Sequence, residues 1–110
     1  MKDLNADYTY YRITPVNEFP EGERLFLQIE DQPIVIFKIA GEFLATGDIC
    51  SHDGGEIGDG EIIGEEIVCP RHGARFNIRS GEAMSLPAVT AIPVYPIRIV
   101  EDYLEIGIPK

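Results

Sequence analysis

The stretch that decides the fold is Cys50-Ser51-His52, followed after sixteen residues by Cys69-Pro70-Arg71-His72. The chain has only two cysteines and two histidines, and all four fall within these 23 of its 110 residues. Random scatter would rarely place a His so close behind each Cys. We therefore interpret Cys50, His52, Cys69 and His72 as the ligands of one metal centre.

Two kinds of centre take two cysteines and two histidines. A structural zinc site usually places both cysteines in one knuckle and both histidines in another. Here the first arm (residues 50–56) and the second arm (residues 69–74) each carry one Cys and one His. That distribution favours a binuclear iron–sulfur cluster with both thiolates on one iron and both imidazoles on the other. Zinc remains the main alternative.

Length and composition narrow the class of protein. The chain is long enough for one domain, residues 1–110, and no segment approaches the ~20 apolar residues of a membrane span. Met1–Asp7 lacks the apolar region of a signal peptide, and both cysteines belong to the metal motif, which favours the reducing cytoplasm. A net charge of −10 disfavours nucleic acid and anionic membranes as partners and would attract a basic protein, although it could serve solubility alone.

Short β-branched and aromatic runs, punctuated by Pro and Gly, predict an all-β sandwich or barrel. No long stretch keeps a helical period. The predicted strands are Tyr8–Ile13, Arg24–Ile29, Pro33–Ile39, Glu42–Ala45, Glu61–Ile63, Glu66–Val68, Arg75–Ile78, Ile97–Val100 and Tyr103–Ile108. We expect turns at Asp31-Gln32, Ala40-Gly41 and Glu101-Asp102. Three prolines argue against a helix or a central strand in Leu86–Pro96.

The motif Cys-x-His, a 16-residue spacer and Cys-x-x-His followed by Gly73 resembles the Rieske [2Fe–2S] family. The resemblance extends over nearly the whole chain. It implies an antiparallel β framework with an inserted cluster-binding subdomain at roughly residues 46–80, and one [2Fe–2S] cluster per chain. It also implies a proline-containing loop over the cluster, for which Leu86-Pro87-Ala88 is the candidate, although Pro87 could equally be a plain turn residue.

The ligand set has an electrostatic consequence. Two ferric ions, two sulfides and two thiolates sum to zero formal charge, so one added electron brings the site only to −1. This is one reason why imidazole ligation raises the reduction potential. In high-potential Rieske proteins, a Ser and a Tyr after the second His donate hydrogen bonds to the cluster, but here Ala74 and Phe76 occupy those places. The resemblance therefore implies a potential near the low end of the Rieske range, about −150 mV.

Three features near the motif have open interpretations. Gly73 is expected to let backbone N–H groups approach the cluster. Arg71 stands where the family commonly has an apolar residue, and its charge could raise the potential slightly or pair with the acidic surface. A group of acidic residues between the arms could dock a basic partner or simply form a solvated loop; it comprises Asp53, Glu56, Asp59, Glu61, Glu65 and Glu66.

The leading functional hypothesis is a one-electron carrier, a Rieske-type ferredoxin that passes electrons from a flavin-containing reductase to a terminal oxygenase. The chain is too short to hold an additional mononuclear iron site, so it is not expected to be an enzyme itself. One alternative is the small Rieske-like subunit of a nitrite reductase. Another is a zinc-stabilised binding module without a redox role.

Overall fold

The computed structural model describes residues 7–110, and nearly all of the regular structure is antiparallel β. Ten strands form three sheets: β1 Tyr8–Pro15, β2 Arg24–Ile29, β3 Gln32–Ile39, β4 Glu42–Gly47, β5 Ile62–Ile63, β6 Glu66–Val68, β7 Arg75–Asn77, β8 Val94–Tyr95, β9 Ile97–Val100 and β10 Tyr103–Pro109. Among the described residues, no helix is long and apolar enough to cross a bilayer. The segment Met1–Ala6, and with it most of the region searched for a signal peptide, lies outside the described residues.

The first sheet joins the two ends of the described chain in the order β1-β10-β9. Its hairpin turns at Glu101 and Asp102, both of which have positive φ, as a two-residue type I′ turn requires. A register shift between Arg12 and Thr14 bends β1 and allows the strand to continue to Pro15, opposite Tyr103.

The second sheet has the order β2-β3-β4-β8, and its central strand β3 explains the long apolar run in the sequence. Side chains alternate across a strand, and both faces of β3 are covered. Ile34 and Ile36 face a core shared with the first sheet, whereas Val35 and Phe37 face a second core that contains Cys50 and Cys69. One strand therefore supports both the framework and the metal centre.

The third sheet, β5-β6-β7, carries the region between the two arms. The chain leaves the second sheet at the end of β4 and returns to it at β8, so the intervening residues form a separate layer built on the Val35 side of β3. Ile67 and Phe76 of this layer are fully buried in the same core as the two cysteines. The predicted all-β, antiparallel architecture is confirmed, and a small sheet is inserted between β4 and β8.

The strand predictions hold with small shifts at the boundaries. The turn expected at Asp31-Gln32 lies one residue earlier, at Glu30 and Asp31, because both adopt positive φ and Gln32 already pairs with Ile29. Residues 86–93 form no strand, and Val94–Tyr95 forms a two-residue edge strand on β4, in agreement with the proline argument. Glu61 and Ile78 fall outside their predicted strands.

Candidate metal centre

The two arms share one backbone pattern. In each arm, the Cys carbonyl accepts a hydrogen bond from the Gly amide four residues later: Gly54 N to Cys50 O is 2.7 Å, and Gly73 N to Cys69 O is 3.0 Å. In each arm, the Cys amide donates to the carbonyl five residues later, at 2.7 Å in both cases. Gly54 and Gly73 both have positive φ, which only glycine adopts without strain. The arms are therefore two copies of one tight loop.

These loops bring the four predicted ligand residues together and place the two cysteines deeper in the protein than the two histidines. Cys50 and Cys69 are 0% and 1% exposed, within the core beneath the arms. His52 and His72 lie at the surface, and the His72 side chain is 56% exposed. The centroids of the two imidazole rings are 5.2 Å apart, with an interplanar angle of 85°. The site thus has a buried thiol pair and an exposed imidazole pair.

The donor atoms fall into two sets, which bears on the kind of metal that fits. The ligand atoms of Cys50, Asp53 and Cys69 lie within 4.8 Å of one another, and so do those of His52, Asp53 and His72. Within residues 7–110, no such set unites both thiols with both imidazoles. A single zinc ion with bonds of about 2.0–2.3 Å would draw all four donors to within about 4 Å of each other. The thiol pair and the imidazole pair thus fall in two sets that share only Asp53, and this division fits two metal ions better than one.

The burial of Cys50 affects how a metal can bind to its thiol. Burial raises the pKa of the Cys50 thiol, an effect larger than the opposing backbone hydrogen bonds from Asp53 and His52. A thiol in this environment stays protonated at neutral pH until a metal takes the thiolate, so metal binding must release a proton here. Neither cysteine forms a disulfide. A [2Fe–2S] group held here would supply one-electron chemistry, with its imidazole side at the surface.

A polar bridge joins the exposed sides of the arms. Arg71 Nε donates to Asp53 Oδ2 at 2.6 Å, and Arg71 Nη2 donates to Asp53 Oδ1 at 2.9 Å. This guanidinium, followed by the Gly55 amide, holds the pKa of the Asp53 carboxyl well below its usual range. His72 Nδ1 lies 3.3 Å from Asp53 Oδ2. Arg71 therefore pairs with one residue of the acidic group, Asp53, which the sequence alone did not identify as its partner.

Two further side chains fix the loop that leaves the first arm. Asp48 is buried, and its Oδ1 accepts hydrogen bonds from the amides of Ile57 at 3.0 Å and Gly58 at 2.7 Å. Arg24, on β2, donates from Nη1 to the carbonyls of Gly58 at 2.6 Å and Gly60 at 2.7 Å. Neither residue was predicted from the sequence, because their partners are backbone groups, which leave no pattern there.

The proline-containing segment lies beside the first arm. Ala88 is buried in the core that contains both cysteines, and Ser51 Oγ of the first arm donates to the Thr90 carbonyl. Leu86 and Val89 project outward, 77% and 81% exposed. The segment is therefore joined to the first arm and to the cysteine-containing core, and Leu86 and Val89 add exposed apolar surface to it.

Two residues that follow His72 lie in the core beneath the arms. Ala74 and Phe76 are fully buried in the cysteine-containing core, and neither side chain has a hydroxyl to donate. The Gly73 amide bonds to Cys69 O within its own arm, so glycine serves the turn at this position.

The acidic group between the arms is partly neutralised. Asp53 pairs with Arg71, Glu65 pairs with Arg79 at 2.7 Å, and Glu66 lies 3.7 Å from Arg75. The remaining members, Glu56, Asp59 and Glu61, are exposed.

Fold and donor set together define a small iron–sulfur protein of the two-iron type. Residues 9–96 match the Rieske [2Fe–2S] domain, and the chain belongs to that family. It is 35% identical over 82 residues to a naphthalene 1,2-dioxygenase system ferredoxin component from Pseudomonas aeruginosa, covering 74% of this chain and 79% of that protein. It is 35% identical over 98 residues to a 3-phenylpropionate/cinnamic acid dioxygenase ferredoxin subunit from Shigella boydii, covering 87% and 91%.

A solved structure agrees with these relatives. The Sphingomonas yanoikuyae B1 ferredoxin superimposes with a TM-score of 0.81 at 28% identity, covering 92% of this chain and 100% of that one. The cofactor is a [2Fe–2S] cluster, and the chain is a one-electron carrier of the ferredoxin type, not an enzyme in itself. The ferredoxin hypothesis is confirmed over the zinc-stabilised module and the nitrite reductase subunit.

Proposed function

We propose that Cys50 and Cys69 bind one iron of the [2Fe–2S] cluster and that His52 and His72 bind the other. Support for this assignment comes from the division of the donors into a buried thiol pair and an exposed imidazole pair. Residues 1–110 form a single domain under this proposal, with the cluster-binding subdomain at roughly residues 46–80. The imidazole side is then where electrons enter and leave.

The carrier serves a ring-hydroxylating dioxygenase system in the cytoplasm. Its donor is a flavin-containing reductase and its acceptor is a terminal oxygenase, by analogy with the ferredoxin components and subunits of dioxygenase systems that it is similar to. The docking faces of both partners are basic, because this chain carries 19 acidic against 9 basic side chains. Glu56, Asp59 and Glu61 are the exposed acidic residues between the arms that remain available for such contacts.

Ligand substitutions test the assignment of the cluster residues. In His52→Ala and in Cys69→Ser, we expect loss of the visible absorption, of the low-average-g electron paramagnetic resonance signal and of the paired iron and acid-labile sulfide. Ser51→Ala is the matched control, because Ser51 lies between two ligands and its hydroxyl binds the Thr90 carbonyl. An unchanged cluster in either ligand variant would overturn the assignment.

The partner proposal has a separate test. Reduction of the cluster by a purified flavin-containing reductase is followed at a series of salt concentrations. We expect the second-order rate constant to fall steeply as ionic strength rises from about 0.01 to 0.15 M, because the Debye length shortens from about 30 to 8 Å over that range. A rate constant that does not change with salt would refute basic docking faces without affecting the ligand assignment.

A further inference from the structure

The bridge between Arg71 and Asp53 spans the two arms, whereas the backbone hydrogen bonds of each Cys close within its own arm. Arg71 extends from the second arm and makes three bonds to the first. Two of these reach the Asp53 carboxylate in a bidentate arrangement, and the third runs from Nη1 to the Glu56 carbonyl at 2.7 Å. Bidentate charge-assisted pairs fix both distance and orientation, which a single contact does not.

The Arg71 guanidinium packs closely against Gly55, where a side chain would have no room. A Cβ atom built on Gly55 would lie 2.6 Å from Arg71 Cζ and 2.7 Å from Nη2, far inside van der Waals contact. Gly55 does not have the positive φ of Gly54. The absence of a side chain at position 55 is therefore explained by the close approach of Arg71, not by the backbone conformation of the loop.

The repeated loop shows why these positions are paired. Counting from each Cys, the first arm has His52 and Asp53 at the second and third places, and the second arm has Arg71 and His72 there. His52 faces His72 across the site, and Asp53 faces Arg71. Arg71 therefore stands at the place in the second arm that His52 has in the first, and Asp53 stands at the place in the first arm that His72 has in the second. The bridge between Arg71 and Asp53 lies directly beside the imidazole pair.

We propose that Arg71 is a positioning residue that, with Asp53, Gly55 and the Glu56 carbonyl, forms a clamp holding the two arms at the separation the imidazole pair needs. Exposed ion pairs contribute little in general, but this pair has bidentate geometry, with the Arg71 and Asp53 side chains 37% and 18% exposed. The clamp keeps the cluster in the protein by limiting how far the exposed arms open. This inference rests on the ligand assignment proposed above.

The test compares three variants. Arg71→Lys keeps the positive charge but removes the planar fork that makes three bonds. Gly55→Ala keeps both charged groups, but its Cβ atom would displace the Arg71 guanidinium from its present position. Arg79→Lys is the matched control, because Arg79 also makes three side-chain bonds, in its case to the carboxylates of Glu42 and Glu65, away from the arms.

Cluster-loaded proteins are purified without oxygen and exposed to an excess of iron chelator, and the decay of visible absorption is timed. We expect about tenfold faster decay in Arg71→Lys and Gly55→Ala, as the loss of a bidentate charge-assisted pair implies, and a change below about twofold in Arg79→Lys. The double variant Arg71→Lys with Gly55→Ala should decay no faster than the faster single variant, because both changes disable the same clamp.

A second readout separates positioning from simple stabilisation. In Arg71→Lys we expect a broadened electron paramagnetic resonance spectrum of the reduced protein, because the imidazole ligands take a wider range of orientations. A purely structural role would lower thermal stability and leave that spectrum unchanged.

Wild-type decay rates and spectra in Arg71→Lys would overturn the clamp, and so would equal acceleration in Arg79→Lys. If Gly55→Ala does not fold, the comparison of Arg71→Lys with Arg79→Lys still decides the question. Failure of the ligand assignment would look different, because clamp variants assemble the cluster and then lose it, whereas His52→Ala is expected never to assemble it.

Discussion

Gly60 precedes the inserted sheet and has no room for a side chain. A Cβ atom at this position would lie 1.9 Å from the Val68 carbonyl oxygen and 3.1 Å from the Ile57 oxygen. Val68 directly precedes Cys69, so a substitution at Gly60 pushes against the backbone that delivers the second arm. Both atoms belong to the main chain and cannot rotate away as a flexible side chain would.

The magnitude for Gly60→Ala follows from the distances. Ordinary contact begins near 3.4 Å, so the two segments must separate by roughly 1.5 Å. That movement breaks the hydrogen bond from Val68 N to Glu61 O, now 2.9 Å. Overpacking costs about 1–3 kcal/mol and the lost hydrogen bond about 1 kcal/mol, so the expected total is about 2–4 kcal/mol.

The control is Gly64→Ala, in the turn between β5 and β6. Gly64 has φ +62°, and a Cβ atom there would meet nothing within 4 Å, so alanine introduces backbone strain without a clash, about 1 kcal/mol. We expect the thermal midpoint of the cluster-loaded protein to fall by about 10–25 °C in Gly60→Ala and by about 5 °C in Gly64→Ala. The measurement is far-ultraviolet circular dichroism at one scan rate, because unfolding with cluster loss is irreversible.

The order of the two variants decides the outcome. If Gly60→Ala lowers the midpoint no more than Gly64→Ala does, the loop relaxes without moving Val68 and the steric reasoning is refuted. Iron content per chain gives a second measurement, since displacement of Val68 should also reduce cluster loading in Gly60→Ala but not in Gly64→Ala.

Two further predictions concern pH and potential. The guanidinium of Arg98, followed by that of Arg12, lowers the pKa of the Glu105 carboxyl, so this group stabilises the fold above its unfolded pKa and ceases to do so as pH falls through the lowered value. Glu105→Gln should therefore be less stable than wild type at pH 7, and the difference in thermal midpoint should shrink below about pH 4; a constant difference would contradict this. Ala74→Ser places a hydroxyl in the cysteine-containing core and should raise the midpoint potential above that of the wild type, as measured by redox titration; an unchanged potential would show that the hydroxyl does not reach the cluster.

Local signals in the sequence predicted most of the framework. The turns at Ala40-Gly41 and Glu101-Asp102 lie where short polar or Gly-containing pairs interrupt apolar runs, because a two-residue hairpin requires positive φ at both positions. The four candidate ligands were identifiable because no other Cys or His competes with them. Both signals involve only a few neighbouring residues, and so they can be recognised without knowledge of the tertiary structure.

Long-range contacts were not accessible in the same way. The pairing of β1 with β10 joins residues that are about a hundred positions apart, and no local pattern specifies it. The bonds from Arg24 to the carbonyls of Gly58 and Gly60 are equally remote from their sequence neighbours. The Gly that follows each Cys by four residues aligns the two arms, but this alignment places Asp53 level with His72, so the bridge from Arg71 to Asp53 could not be read from it.

The site must expose its redox group to a partner and must also retain that group, and these two requirements favour opposite arrangements of the loops. A carrier must bring its redox group close to a partner, which favours exposed imidazoles on short loops, and loops with few apolar contacts open most easily. In this structure, polar contacts that we call polar ties hold the loops in place. Arg24 and Asp48 bind the loop that follows the first arm, and Arg71 joins the two arms on their exposed side. These ties leave the imidazole edges uncovered, whereas added apolar packing would have buried them. The lifetime of the cluster should therefore depend on these polar ties more than on the size of the core beneath it.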